Sequence, residues 1–351
     1  MISAKQPLRL LIVDDSPYNR KIISEAFSNR PEVEVVGKAG NGEEALKLAT
    51  MLKPDVITLD LEMPKMDGFT FLRILMSRQP TPVIVVSSYA QRDNVFKALE
   101  LGALDFVTKP SQTIAEDADE LKQQIVARVL LVRQESPSLL PPNSRRLTSG
   151  NFAPEAKPPT FLPPSCVIAI GCSTGGPSAL LDLFGRIPDK SAGALLIAQH
   201  MPDKFTRTFA DRLDKKASLR AREATNGDKV TRGTAFVCPG SQCMEVAHEG
   251  KQIVLRVATP GQGDKYAPSI DRLFKSAAAT FGAKSIGVVL TGMTGDAIEG
   301  ARAIRDAGGT VIVESSETAV VYGMPGDVAK AGLATKELPL PDLAEELVGR
   351  M

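Results

Sequence analysis

Short apolar runs of strand length alternate with helix-length amphipathic stretches along this chain, and that alternation admits few folds. In the N-terminal part the runs are 8–13 (L-R-L-L-I-V), 33–36, 55–59, 82–86 and 104–107, and segments 17–29, 41–52, 68–78, 91–101 and 114–134 carry i, i+3, i+4 apolar spacing. A strand, a helix of that length and another strand form a right-handed crossover, so the strands lie parallel. The prediction is a doubly wound α/β domain with a five-stranded parallel sheet, whose ligands gather at the carboxyl ends of the strands. The alternation resumes with runs at 166–170, 194–198, 233–237, 285–290 and 310–313 and helical segments at 176–186, 203–216, 269–281 and 295–307. A hairpin-like pair around 243–257, turning at Glu249-Gly250, interrupts it. The second domain is therefore expected to be another doubly wound α/β fold, with a mostly parallel sheet made mixed by the hairpin.

Between the two patterns, eight of the chain's 25 prolines fall from Pro137 to Pro164, in a stretch with little apolar periodicity. Such a segment is a semi-rigid tether. The expected organisation is a first domain at 1–134, a linker at 135–164 and a second domain at 165–351. Lys plus Arg (42) almost cancels Asp plus Glu (41), leaving no large positive field for nucleic acid or an anionic membrane. No apolar run approaches the roughly 18 residues that a membrane span needs. The four cysteines form no C-x-x-C, and a chain of this size does not depend on disulfide staples, so reduced thiols and a cytoplasmic location are expected.

In the first domain, strand one ends in Asp14-Asp15, strand three in Asp60, strand four in Ser87-Ser88, and strand five runs into Lys109-Pro110. A parallel sheet brings these ends to one edge. Three crowded carboxylates favour a hard divalent cation with oxygen ligands, of which Mg²⁺ is the natural choice. A carboxylate beside such an ion can accept a phosphoryl group, with the Ser87 hydroxyl and the Lys109 ammonium neutralising the new oxygens. Taken singly, each acid is more often a helix cap or turn residue. Together, Asp14-Asp15, Asp60 followed by Met63-Pro64-x-Met66-Asp67-Gly68, Ser87, Phe106 and Lys109-Pro110 resemble the receiver domain of bacterial response regulators over residues 8–134. The resemblance implies a flavodoxin-like fold, Asp60 as phospho-acceptor, Asp14 and Asp15 as metal-binding acids with Asp60, Ser87 as switch hydroxyl, Phe106 as rotameric aromatic and Lys109 as phosphate-binding lysine. It also implies a sensor histidine kinase as phosphodonor and a cis bond at Lys109-Pro110.

In the second domain, V-I-A-I-G-C-S-T-G-G-P sets Ser173 directly after a buried strand, with Gly171, Gly175 and Gly176 around it and Pro177 suited to a first helical turn. The G-x-S-x-G spacing is that of a nucleophile elbow, and the helix N-terminus favours a developing anion. A small-residue packing loop or a phosphate cradle is the competing reading. Only two histidines are available as a base. His200 follows a buried strand, and His248 sits in the hairpin turn and is expected to face solvent. An orienting carboxylate is required. Asp296 follows the run S-I-G-V-V-L, while Asp271 and Asp327 are rivals read as helix-start and loop acids. Cys172 is a weaker nucleophile candidate than Ser173.

The segments G-C-S-T-G-G-P, Q-H-M-P, Y-A-P-S-I-D-R-L-F, L-T-G-M-T-G-D and V-Y-G-M-P-G-D-V-A resemble the catalytic domain of the chemotaxis protein-glutamate methylesterase (CheB) family over about 165–348. That resemblance implies Ser173 attacking a glutamyl γ-methyl ester of a chemoreceptor, His200 relaying the proton, Asp296 orienting His200, and Met293 and Thr174 supporting the oxyanion. It implies no cofactor for ester hydrolysis, a second activity in deamidating receptor glutamines, and an esterase held inhibited by the first domain until Asp60 is phosphorylated. Two departures stand out. The family pattern G-M-G-x-D-G is here Gly292-Met293-Thr294-Gly295-Asp296-Ala297, and P-G-x-x-H is here Pro239-Gly240-Ser241-Gln242-Cys243. A phosphorelay binding protein with a degenerate, non-catalytic output domain is the alternative.

Overall fold

A computed structural model describes residues 6–88, 92–109, 115–134, 162–187, 192–293 and 295–351. The chain divides into two compact units, residues 1–143 and 144–351. The expected linker lies almost wholly outside the described residues, as does Pro110 with its expected cis bond.

The first unit runs β1 (Leu8–Val13), α1 (Pro17–Glu25), β2 (Val33–Ala39), α2 (Gly42–Leu52), β3 (Val56–Leu59), α3 (Gly68–Arg78), β4 (Val83–Ser88), α4 (Arg92–Glu100), β5 (Asp105–Lys109) and α5 (Ala115–Gln134). Its sheet has the order β2-β1-β3-β4-β5 with every pairing parallel. The order reverses between β1 and β3, which opens a crevice at their carboxyl ends. All four residues of β3 are buried, as expected of a central strand covered on both faces. Side-chain caps start the helices: Ser16 accepts from Asn19 N, Asn41 from Glu44 N and Asp67 from Thr70 N. Gly68 is obligatory, since a Cβ there would stand 2.4 Å from the Asp60 carbonyl oxygen.

The second unit runs β6 (Val167–Cys172), α6 (Gly176–Phe184), β7 (Ala194–Gln199), α7 (Asp203–Lys216), β8 (Arg220–Glu223), β9 (Thr234–Val237), β10 (Cys243–Glu249), β11 (Gln252–Ala258), α8 (Ile270–Phe281), β12 (Ser285–Val289), α9 (Ile298–Asp306), β13 (Thr310–Glu314), α10 (Gly323–Lys330), β14 (Lys336–Leu338) and α11 (Leu340–Val348). Its seven-stranded sheet has the order β14-β13-β12-β6-β7-β9-β8. Here the expectation of a mixed sheet is corrected. Every pairing in the sheet is parallel, and β10 and β11 form a separate antiparallel ribbon. The ribbon packs against α8, and its apolar face (Met244, Val246, Leu255) joins the core with Leu273 and Ala277. Burying that face on a helix leaves no reason for the ribbon to extend the sheet.

Two edge strands escape sequence reading. β8 (R-A-R-E) buries only Ala221, and β14 (K-E-L) has three residues, none buried, so neither carries a hydrophobic period. Asp327, expected in a loop, lies on α10 instead. α9 begins at Ile298 rather than 295, because the residues before it form the turn that holds Asp296.

Candidate active sites

The first site lies where β1, β3 and β5 end. Asp14 and Asp60 are buried and Asp15 is exposed, and carboxylate oxygens of the three lie within 4.8 Å of one another. Asp14 is held by its own turn: its Oδ1 accepts from Ser16 N at 2.9 Å and from Asn19 Nδ2 at 3.1 Å. Lys109, from the end of β5, extends its ammonium between the two buried acids, 2.9 Å from Asp14 Oδ2 and in hydrogen-bond contact with Asp60 Oδ2. Burial raises the Asp60 pKa above the ordinary carboxylate value; the Lys109 charge opposes this and the Asp14 charge adds to it, leaving the net shift upward. Burial works against the Lys109 ammonium, but Asp60 and Asp14 outweigh it and raise its pKa. Carboxylates crowded beyond what one lysine compensates form a set of hard oxygen donors that fits a divalent cation such as Mg²⁺. Ser87 is buried at the end of β4, and Phe106 is buried edge-on to Phe96, ring centroids 6.4 Å apart.

The second site is built at the carboxyl edge of three neighbouring strands. Ser173 follows β6, His200 follows β7 and the 291–297 loop follows β12, with β6 between the other two. At the elbow, Gly175 has φ +78°, and a Cβ there would meet Val320 at 2.7 Å, so the turn takes only glycine. Ser173 is pinned through its main chain. Its N–H donates to Thr291 O at 3.0 Å, and its carbonyl accepts from Gln199 Nε2 and Gly176 N, each at 2.9 Å. Among the described residues no hydrogen bond engages the Ser173 hydroxyl. The His200 N–H donates to Cys172 O at 3.0 Å, which ties the two strand ends together.

His200 Nε2 lies 3.0 Å from Asp296 Oδ2. The same carboxylate accepts from the backbone N–H groups of Ile270 (2.8 Å), Asp271 (2.9 Å) and Ala297 (2.9 Å). Burial would raise the Asp296 pKa, but the hydrogen bonds from His200, Ile270 and Asp271 overcome it and hold Asp296 below the ordinary carboxylate value. An ionised Asp296 accepting from Nε2 assigns the neutral imidazole proton to that nitrogen and leaves the Nδ1 lone pair as the base. The ring is thus reversed relative to triads in which the aspartate engages Nδ1 and Nε2 faces the serine.

The rivals fall away from the pair. Asp271 caps the other side of the turn, accepting from Gly300 N at 2.7 Å, and burial raises its pKa. His248 is exposed on the ribbon, its Nε2 3.2 Å from Thr280 O. Cys172 is fully buried, and burial lifts its thiol well above its ordinary value, which makes it inert. Thr174 is buried and Met293 is exposed beside the site, while Thr294 lies outside the described residues. Ala297, at the family's usual third glycine, has φ +86°. Cys243, at the family's usual histidine, is buried, with its Sγ 3.8 Å from both Asp264 Oδ2 and Tyr266 O.

Three residues of the site escaped the sequence reading. Tyr266 stacks on His200, Thr291 contacts both flanks of the elbow, and Glu314 accepts from Thr291 N. Glu314 ends β13, so the strand-end rule that found Asp60 could have found it. Thr291 follows the run 285–290 and is open to the same rule, and Tyr266 begins the segment Y-A-P-S-I-D-R-L-F, but neither residue type on its own pointed to a role.

The CheB methylesterase family model matches residues 168–347, and the response regulator receiver domain model matches residues 10–124. A protein-glutamate methylesterase/protein-glutamine glutaminase of Myxococcus xanthus is 44% identical over 99% of this chain and 98% of its own length. A protein of the same name from Pyrococcus abyssi is 37% identical over 97% of this chain and 93% of its own. Among solved structures, the Thermotoga maritima CheB methylesterase catalytic domain matches with TM-score 0.52 and 33% identity, covering 53% of this chain and 98% of that domain. With the fold, the His200–Asp296 pair beside Ser173 and these matches in agreement, the chain belongs to the CheB methylesterase family and carries a response regulator receiver domain ahead of its esterase domain.

Proposed function

We propose that this protein hydrolyses glutamyl γ-methyl esters on chemoreceptors, with Ser173 as nucleophile, and that phosphorylation of Asp60 in the receiver domain switches that hydrolysis on. The observation that carries the reading is the buried Asp296 holding His200 by Nε2 at the same sheet edge as Ser173. Nδ1 of His200 takes the Ser173 proton as Oγ attacks the ester carbonyl. The imidazolium so formed is stabilised by Asp296, and it returns the proton to the departing methoxide, giving methanol and an acyl-enzyme. Water activated by the same nitrogen then releases the glutamate. The Met293 N–H, with Thr174 supporting the elbow, offers hydrogen bonding to the tetrahedral oxyanion. The same groups acting on a carboxamide expel ammonia, which accounts for a glutaminase activity of the kind the relatives are named for.

In the receiver domain, Asp60 accepts the phosphoryl group from a histidine kinase. Asp14, Asp15 and Asp60 would hold Mg²⁺, which when bound supplies charge neutralisation for phosphoryl transfer. Lys109 is already placed to pair with a phosphoryl oxygen on Asp60, and Ser87 offers a hydroxyl to another. With boundaries near 134 and 164, as the sequence suggests, the proline-rich stretch between them would act as a tether that keeps the receiver domain at high effective concentration as an inhibitor. Among the described residues no helix is long and apolar enough to cross a membrane, which suits an enzyme meeting receptors at their cytoplasmic face.

The test is methanol release from a methylated receptor, with and without a small phosphodonor and Mg²⁺. Turnover that rises with the phosphodonor, and that S173A and H200Q abolish, supports the reading. Phosphorylation without any methanol release selects the non-catalytic alternative.

A further inference from the structure

Behind the elbow lies a buried polar network that the ester chemistry does not itself use. Glu314, 1% exposed at the end of β13, accepts from Thr291 N through Oε2 at 2.9 Å and from Thr318 Oγ1 through Oε1 at 2.9 Å. Thr318 Oγ1 accepts in turn from Leu340 N at 2.9 Å. Thr291 is fully buried and uses every polar atom. Its Oγ1 donates to Thr174 O at 2.9 Å and accepts from Val321 N at 2.8 Å, and its carbonyl accepts from Ser173 N at 3.0 Å. The next residue, Gly292, donates to Val321 O at 2.9 Å and accepts from Met324 N at 2.8 Å. A Cβ on Gly292 would stand 2.9 Å from Ser173 Cβ, so this strand end and the elbow are in contact.

We propose that Thr291, anchored by Glu314, is a positioning residue for the oxyanion site. The inference rests on the assignment of Ser173 as nucleophile and Met293 as oxyanion donor. One hydroxyl and one carbonyl grip the Ser173-Thr174 side of the site, and the same residue leads through Gly292 into Met293, which forms the other side. The separation of the two sides is therefore set by Thr291 rather than by either side alone. Apolar packing could fill this space, but it lacks the directional hydrogen bonds that hold an N–H aimed at a developing charge. A misplacement of about 1 Å at such a site costs on the order of 10²-fold in rate. The charge develops only in the transition state, so the loss falls on kcat and spares substrate binding.

The test compares T291V, which is isosteric and lacks the hydroxyl, with T291S, which keeps it. Both are made in the full chain and assayed by methanol release from methylated receptor. T291V should lower kcat roughly 10- to 100-fold with KM within about twofold of the parent, and T291S should restore kcat to within about threefold. A folded T291V with parental kcat, or one altered in KM alone, overturns the proposal. Should T291V fail to fold, T318V decides. Loss of the Thr318 hydroxyl from Glu314 should lower kcat roughly two- to fivefold at unchanged KM, and an unchanged kcat overturns the proposal. S173A assayed in parallel separates the two layers: turnover by S173A sinks the nucleophile assignment itself, whereas an inactive S173A beside a fully active T291V sinks only the positioning role.

Discussion

The Tyr266 ring lies flat on the His200 imidazole, with centroids 5.2 Å apart and planes 13° apart. Its hydroxyl end is packed against Gly295, where a Cβ would come within 2.2 Å of the oxygen. Asp264, two residues earlier in the same loop, is fastened by Arg272 Nη1 at 2.9 Å, and Arg272 Nη2 reaches Glu245 on the ribbon at 2.8 Å. The separate two-stranded ribbon thus helps hold the loop that covers the base. Aromatic pairs of this kind are worth about 0.5–1.5 kcal/mol. Y266A should accordingly lower kcat roughly two- to tenfold, and Y266F, which keeps the ring, should stay near the parent. Steady-state methanol release checks both.

Removing the charge that orients His200 is expected to be far more costly. D296N presents an amide to Nε2 and no longer favours a proton there, so kcat should drop by a factor on the order of 10⁴. Stability should follow a definite pH course. The folded-state pKa of Asp296 lies below its ordinary value of 3.8, so its carboxylate contribution is fully present above that value and is lost as pH falls through the folded one. Urea midpoints of parent and D296N should differ by a constant amount above about pH 5 and converge on further acidification. A difference that widened with acid would contradict the assignment of a stabilised carboxylate.

Lys109 bridges two buried acids, and K109A would leave Asp14 and Asp60 facing one another with no cation between them. Breaking a buried ion pair from one side costs about 3–5 kcal/mol. The unfolding transition of the first unit should fall accordingly. Stimulation of esterase activity by phosphodonor should be lost, while the activity without phosphodonor persists. Mg²⁺ in excess should recover part of the stability, since it replaces the missing positive charge, and a chelator should reverse that recovery.

Ala297 is fully buried at φ +86°, at the foot of the turn that carries Asp296. A non-glycine residue held there stores strain of order 1 kcal/mol or more. In A297G that strain is relieved, and the added freedom of the unfolded glycine offsets about 0.5–1 kcal/mol of the relief. The net expectation is a small gain or none, and a loss above about 1 kcal/mol would mean that the alanine methyl packs better than its backbone suffers. Activity of A297G measures how far Asp296 depends on that turn.

Much of this protein was legible along the chain, because hydrophobic periodicity is local and a parallel sheet turns it into geometry. Once strands and crossovers alternate, the residues after each strand must share one edge, and Asp14, Asp60, Ser173, His200 and Asp296 were all found by that rule. The proline-rich stretch separated two such sheets without any reference to their contents. The tertiary structure alone decided what depends on residues distant in sequence. Strand order put β12 and β7 on either side of β6, so that Asp296 could reach His200 across the Ser173 strand. Packing on α8 drew the ribbon out of the sheet, and the stacking of Tyr266 and the hydrogen bonds of Thr291 join segments 66 and 118 residues apart in their longest contacts. These are choices of rotamer and strand neighbour made by the summed packing of the whole domain, and no window of sequence contains that sum.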